Sequence, residues 1–368
     1  MNKEAEAEYF SKDFEWESLK HEIENNPSYV YHLLPFNQQP QPQEEEEEKE
    51  EESGDSKAWQ MFHIRHSSGK FFKERRYLLK EFPELVSCGD FSKVLEVGCG
   101  SGSSVVPILR GNKSIIVYAC DCSTETLEKA KQIVDATDIV SVQNRFKPFY
   151  CDFAFTGFPK WFLCDSCPLI PPPKQQECFS SDDSYCFKEG GCCVGGVDFV
   201  TLIFTLSAVP LKRMPIAILE CFSVLKPGGM LLFRDYGLYD MTMLRFEADK
   251  RVGFREYMRS DGTRSYFFCL DTVRNLFVGA GFIELELEYC CVKSVNRRKE
   301  KSMRRVWVHG KFQKPTRCGS VKARVGQICD GGLANSPGCY CINVGHFRDD
   351  RDSNSGAGDG GIVAVRIE

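Results

Sequence analysis

A chain of 368 residues can bury a full core, and about 150 residues per domain makes it one large domain with extras. Its 42% hydrophobic and 12% aromatic content fit a globular protein, and no apolar run approaches the roughly 18 residues of a bilayer-spanning helix, so no membrane partner is expected. Net charge is only −5, but it is unevenly spread.

The opening MNKEAEAEYF is acidic and lacks the basic and apolar stretches of a signal or transit peptide. It points to an intracellular location, cytoplasmic with the nucleus as an alternative, where the 19 cysteines are read as mostly reduced thiols. DFEWESLKHEIENNP, Asp13 to Pro27, has helical spacing of apolar residues and stops at a proline. EEEEEKEEE, Glu44 to Glu52, repels itself and reads as a solvated, disordered linker that runs to about Ser56. Residues 1–57 are therefore set apart as an amino-terminal extension.

Beyond it, Met61 to Lys80 carries six Lys/Arg against one Glu, and Lys293 to Lys314 carries nine against one. A polyanion could use both. Strand and helix patterns alternate between Phe91 and Pro315: strands at Lys93–Val97, Ser114–Cys120, Phe149–Cys151, Val197–Phe204 and Met230–Arg234, with helices at Ser103–Leu109, Thr124–Val134 and Met214–Leu225. KPGG, Lys226 to Gly229, ends the last helix, and strands at Phe282–Tyr289 and Arg304–Phe312 complete the pattern. Such alternation implies an α/β fold, a mostly parallel sheet with helices on both faces. Two segments break it. Residues 159–196 form a Pro-, Gly- and Cys-rich insertion, and residues 316–368, with ten glycines in 53 positions, read as a disordered or atypical tail.

VLEVGCGSGSS, Val94 to Ser104, is a strand feeding a glycine turn with G-x-G-x-G spacing at Gly98, Gly100 and Gly102. Such a turn lets a ligand approach the backbone. Nicotinamide, flavin and S-adenosylmethionine all remain open on the motif alone. The next strand ends in Asp121, placed to accept both hydroxyls of a ribose, and the third ends in Asp152, near where an adenine amino group would lie. A dinucleotide seats its pyrophosphate on a helix amino terminus, whereas S-adenosylmethionine has no phosphate and carries a cationic sulfonium and amine. Glu96, an acid before the turn, suits the latter, and the expected reaction is methyl transfer.

The run AWQMFHIRHSSGKFFKERRYLLKEFPEL, followed in order by VLEVGCGSG, YACD, VTLIFTLSAV, VLKPGG, LFRDYGLYDMTMLRF, YMRSDGTRSYFF and RVWVHGKFQKP, resembles the tRNA 3-methylcytidine methyltransferases from about Trp59 to Pro315. The resemblance implies a Rossmann-like class I methyltransferase with a seven-stranded sheet over 58–315, and a tRNA-binding segment at 58–90. It implies cofactor contacts at Trp59, Gly98, Asp121, Asp152, Phe153 and Ile203, with His63 where the family usually has tyrosine. Its implied substrate is tRNA, at cytidine 32 of the anticodon loop, with seryl-tRNA synthetase as a helper for some members.

The residues add their own reading. In FFKERRYL, Phe71 and Phe72 alternate with Lys73, Arg75 and Arg76, a mixture suited to phosphate contact beside base stacking; a solvated basic helix face is the plainer alternative. Arg297, Arg298, Lys299, Arg304 and Arg305 could grip a tRNA stem or keep an edge strand soluble. Cytosine N3 has a free lone pair, so no general base is sought. Because the product base is cationic, Asp235 in FRDYG is the expected charge-stabilising carboxylate, with a strand-end pair to Arg234 as the alternative. Arg234 and Tyr236 are assigned to substrate. The polar turn Asp261 to Arg264, before SYFF, helps by resemblance to enclose the cofactor and target loop, which assigns Arg264 to substrate too; a hairpin turn leading to core aromatics at Phe267 and Phe268 is the alternative. Cys164-x-x-Cys167 is half of a zinc site, but the later spacings of Cys178, Cys186, Cys192 and Cys193 are irregular, so no metal is expected. Two rivals stand beside this reading: a small-molecule or protein methyltransferase, indifferent to tRNA, and a non-catalytic RNA-binding subunit, which would not bind S-adenosylmethionine.

Overall fold

The computed structural model describes residues 12–36, 44–65, 73–162, 193–296 and 301–316, with two short strands at 323–324 and 343–344. Helix α1 (Trp16–Glu24) turns Leu19 and Ile23, four positions apart, to one buried face. A tight turn opened by Pro27 leads to α2 (Val30–Leu33). Helix α3 spans Glu44–Arg65. The acidic run is thus helical rather than irregular: Glu and Lys are good helix formers, and no proline interrupts the backbone ladder. Short helices α4 (Leu78–Glu81) and α5 (Glu84–Ser87) follow.

The alternation begins with β1 (Lys93–Val97), α6 (Val105–Gly111), β2 (Ile116–Asp121) and α7 (Thr124–Asp135), whose first turn is capped by the Ser123 hydroxyl. It continues through α8 (Val142–Arg145), β3 (Phe146–Tyr150), β4 (Val197–Ile203), α9 (Met214–Val224) and β5 (Leu225–Tyr236). A small sheet comes next, formed by β6 (Arg251–Gly253), β7 (Glu256–Met258) and β8 (Arg264–Tyr266), the last two an antiparallel hairpin across the Asp261–Thr263 turn. Then come α10 (Leu270–Gly279), β9 (Ile283–Asn296) and β10 (Lys301–Gln313), with the two-residue strands β11 (Ala323–Arg324) and β12 (Asn343–Val344) pairing beyond them.

The main sheet has seven strands in the order β3-β2-β1-β4-β5-β10-β9. All its pairs are parallel except those of β10 with β5 and with β9. Strand order reverses between β1 and β4, and in open α/β sheets a ligand crevice lies at the carboxyl ends of the strands beside such a reversal. Both faces are covered. Leu95, Val200, Leu231 and Phe233 pack with α9 and α10 on one side, while Val94, Val117, Phe199 and Leu232 pack with α4, α6 and α7 on the other. β4 is accordingly a nearly unbroken apolar run, as strands buried on both faces are.

A third cluster joins the chain's two ends. Leu19 and Ile23 of α1 pack on Leu238, Tyr257, Phe267 and Val306, each worth about 1.5–3 kcal/mol of burial. Trp16 stacks on Tyr289 with ring centroids 4.6 Å apart, and its indole N–H donates to the Leu238 carbonyl. The Asp13 N–H donates to the Cys291 carbonyl on the outer edge of β9.

Candidate active site

At the reversal point, the turn after β1 must pass under whatever occupies the crevice. Gly98, Gly100 and Gly102 have φ of +65°, +52° and +88°, a region that side chains other than glycine rarely adopt. A Cβ on Gly98 would fall 2.5 Å from Thr205 Cγ2, whereas one on Gly100 would meet nothing within 4 Å. The turn therefore packs tightly below and stands open above. The open side faces a cavity of about 760 Å³ walled by the ends of β1, β2, β4 and β5, the segment after β3, and one face of α3.

Asp121 ends β2 and is 6% exposed. Its carboxylate accepts the Gly100 N–H at 2.9 Å and the Ser123 N–H at 3.1 Å. Burial raises its pKa, opposed by the nearby His63 and by those amide donors. Each oxygen retains a second lone pair for a ligand hydroxyl. The Ser56 hydroxyl of α3 donates to Asp152 after β3, and Gln60 donates to the Cys122 carbonyl at 3.0 Å. Ser56, Trp59 and His63, spaced by three and four, share the helix face that closes this side, and the Trp59 indole N–H is buried there without a protein partner. Positive-φ glycines, two carboxylates on successive strands and an unsatisfied donor fit an adenosyl group.

Of the residues assigned to cofactor, the structure brings Trp59, His63, Gly98, Gly100, Asp121, Asp152, Phe153 and Ile203 into the cavity wall. Two are placed otherwise. Gly102 packs 3.7 Å from Ala130 of α7 when given a Cβ, so it seats helix against turn. Glu96 is fully buried under the turn, where the Thr201 hydroxyl donates to one oxygen and the other has no partner. Burial pushes its pKa up to about 7, against the Thr201 hydrogen bond, the Arg75 charge and the Ser104 hydroxyl. Because the folded value lies above the ordinary 4.5, the folded state keeps a proton that the unfolded chain has lost, and stability falls as pH rises from about 4.5 to about 7. Glu96→Gln is expected to melt level with the parent at pH 4.5 and above it at pH 8, by up to about 3 kcal/mol. Equal melting temperatures at both pH values would refute that.

The residues assigned to substrate divide more sharply. Arg75 and Tyr236 line the cavity, together with Phe204 and Arg259. The Arg75 guanidinium lies 5.6 Å from the Phe204 ring and donates to Ser104 Oγ at 2.8 Å. Lys73 and Arg76 are exposed outside it, and Arg76 pairs with Glu74 at 3.5 Å. Arg234 is corrected: it is fully buried, paired with Glu81 and enclosed by Tyr77 and Trp307, so it cannot reach a substrate. Asp235 is corrected as well. It is 0% exposed and bonds neither Arg234 nor the cavity; its oxygens accept the Ser207 N–H and the Tyr236 N–H, both near 2.9 Å. It therefore holds the backbone after β4 instead of facing a reacting base.

Arg264 is paired with Glu256 at 3.4 Å, Arg304 makes two bonds of 2.6 Å to Glu22 of α1, and Arg305 bonds Asp240 at 2.8 Å. In this structure each of the three arginines has a carboxylate partner within the chain. Arg297, Arg298, Phe71, Phe72 and the insertion cysteines Cys164 to Cys192 lie outside the described residues. Among the described residues no group of three or more His, Cys, Asp or Glu could hold a metal. Sequence reasoning missed Ser56, Phe204 and Arg259. The Ser56-Trp59-His63 spacing could have found the first, and the left-handed φ of +56° at Phe204 has no sequence signature.

A sheet whose last inserted strand, β10, runs antiparallel, with a glycine turn and two strand-end carboxylates at the reversal point, defines a class I S-adenosylmethionine-dependent methyltransferase. The family model described as methyltransferase domain matches residues 62–286. The chain is 38% identical over 263 residues to the tRNA N(3)-cytidine methyltransferase METTL6 of Homo sapiens, covering 70% of this chain and 80% of that protein. It is 37% identical over 265 residues to METTL6 of Rattus norvegicus (70% and 79%), and 33% over 270 residues to the tRNA N(3)-methylcytidine methyltransferase Mettl2 of Drosophila melanogaster (70% and 71%). The chain belongs to the tRNA N(3)-cytidine methyltransferase family.

Proposed function

We propose that this protein methylates N3 of a cytidine in tRNA, at position 32 of the anticodon loop. Bound S-adenosylmethionine supplies an electrophilic methyl group. Everything else falls to the chain. Trp59, Asp121 and Asp152 would hold the adenosyl part, while Arg75, Phe204, Tyr236 and Arg259 line the same cavity. That shared wall carries the reading: one volume is lined both by residues that fit an adenosyl group and by two aromatic rings and two arginines.

Cytosine N3 attacks through its own lone pair, so the site needs alignment rather than a base. A base taken out of the loop stack can lie against Phe204 or Tyr236, whose rings are 5.1 Å apart, while the arginines face its phosphates. Holding the nucleophile in line in this way can remove about 7 kcal/mol or more from a barrier. The family relation supports tRNA as the substrate, and the resemblance adds seryl-tRNA synthetase as a helper. The ten described cysteines, all free thiols, suit the reducing cytoplasm or nucleus that belongs to the same proposal.

Transfer of labelled methyl from S-adenosylmethionine to total tRNA, read by nucleoside mass spectrometry and loop mapping, tests it. 3-Methylcytidine at position 32 is the expected product, and the same assay with seryl-tRNA synthetase added reads the helper. Methylated tRNA without 3-methylcytidine, or transfer only to protein or small molecules, would refute the proposal.

A further inference from the structure

Behind the aromatic part of the cavity wall lies an ion pair with no evident task in folding. Arg234, at the end of β5, and Glu81, at the end of α4, are 0% and 1% exposed in their side chains. They share one hydrogen bond through Arg234 Nη1 and Glu81 Oε1, and the same oxygen meets His309 Nδ1 at 3.0 Å. Arg234 Nε and Nη2 and Glu81 Oε2 have no protein partner. A buried pair so incompletely satisfied is a poor source of stability, since well-packed apolar side chains commonly serve as well or better.

What the pair touches suggests another task. The Arg234 guanidinium sits 5.0 Å from the Tyr77 ring, 4.4 Å from Trp307 and 6.0 Å from Phe204. The Arg234 carbonyl accepts the Phe204 N–H at 2.7 Å. Phe204 is the residue with φ +56°, a backbone conformation that persists only where its surroundings impose it. From the cavity, Arg75 lies over the same ring. The Arg234 side chain thus backs the Phe204 ring while its main chain fixes the Phe204 backbone, and Glu81 ties that side chain to the segment carrying Tyr77 and Arg75.

We infer that Glu81 and Arg234 are positioning residues for methyl transfer, acting through Phe204: they set the ring against which the target base is aligned. The inference rests on the tRNA methyltransferase reading above. Glu81 directly follows the basic stretch that carries Arg75, and Arg234 lies in the main sheet, so the pair connects the two behind Phe204.

The test is kinetic, on the full chain with tRNA and labelled S-adenosylmethionine. Glu81→Leu combined with Arg234→Met removes both charges together; Arg234→Lys keeps the ion pair and loses the planar face that stacks on the rings. Both variants are expected to bind S-adenosylmethionine as the parent does, by calorimetry, and to keep the KM for tRNA, while kcat drops at least about tenfold. In a Phe204→Ala background the same changes should cost nothing further, because the residue they act through is gone. Parental kcat in a folded variant overturns the inference, as does a loss that multiplies with that of Phe204→Ala. A parent chain that leaves tRNA unmethylated overturns the underlying reading instead. Should the double variant not fold, Arg234→Lys decides alone.

Discussion

Asp121→Ala is expected to raise the Kd for S-adenosylmethionine at least about 100-fold and to abolish methyl transfer. Two hydrogen bonds donated by ribose hydroxyls to a charged acceptor are worth about 1.5–3 kcal/mol each, and removing them together accounts for a factor of that size. The loss has a second component. Gly100 and Ser123 donate their N–H groups to this carboxylate, so alanine leaves two amides at the turn without an acceptor. A fall in melting temperature should therefore accompany the loss of affinity. Isothermal titration with S-adenosylmethionine checks it, and a Kd within threefold of the parent would remove Asp121 from the cofactor site.

Gly98→Ala is expected to be as damaging, but through shape. At φ +65° a non-glycine residue pays about 1–2 kcal/mol in backbone strain, and the added Cβ would sit 2.5 Å from Thr205 Cγ2 and 2.7 Å from its Oγ1. Thr205 cannot retreat easily, because its hydroxyl donates to the Val97 carbonyl at 3.0 Å. Either β1 and the backbone after β4 part or the turn closes over the cavity, and in both cases cofactor binding goes. Adding Thr205→Ala removes the clash and leaves the strain, so the double variant should regain part of the melting temperature lost by Gly98→Ala. Equal melting of Gly98→Ala and the parent, with cofactor binding kept, would contradict this account.

The part of the cavity wall made by the glycine turn, Asp121 and Asp152 was legible from sequence because it is built from consecutive residues at strand ends. A glycine turn and an acid closing the next strand are local patterns, and the fold has few ways to place them. Arg234 and Asp235 show why the rest was not. Adjacent residues of a strand point to opposite faces, so FRDYG announces one residue on each side without saying what covers either. Arg234 meets Glu81, 153 positions earlier, and Asp235 meets an amide 28 positions earlier. Partners so distant are products of the sheet order. Of the small sheet only the turn between β7 and β8 shows in the sequence, because strands of three residues are too short to show a period of two. That Arg304 pairs with Glu22 and Arg305 with Asp240 was likewise beyond the sequence, since composition counts charges and only three dimensions bring these partners together.

The docking of residues 13–33 onto strands near the far end of the sequence fixes an order of events during synthesis. Asp13 meets Cys291, and Glu22 meets Arg304, 282 residues away. At roughly 5–20 residues per second, translation puts about 15–55 s between the emergence of the first helix and that of the strands that receive it. For that interval Trp16, Leu19 and Ile23 are exposed beside the nascent chain, an apolar stretch without its pocket. Holdase chaperones would find their target there, and a ribosome stalled before β9 would leave it permanently uncovered.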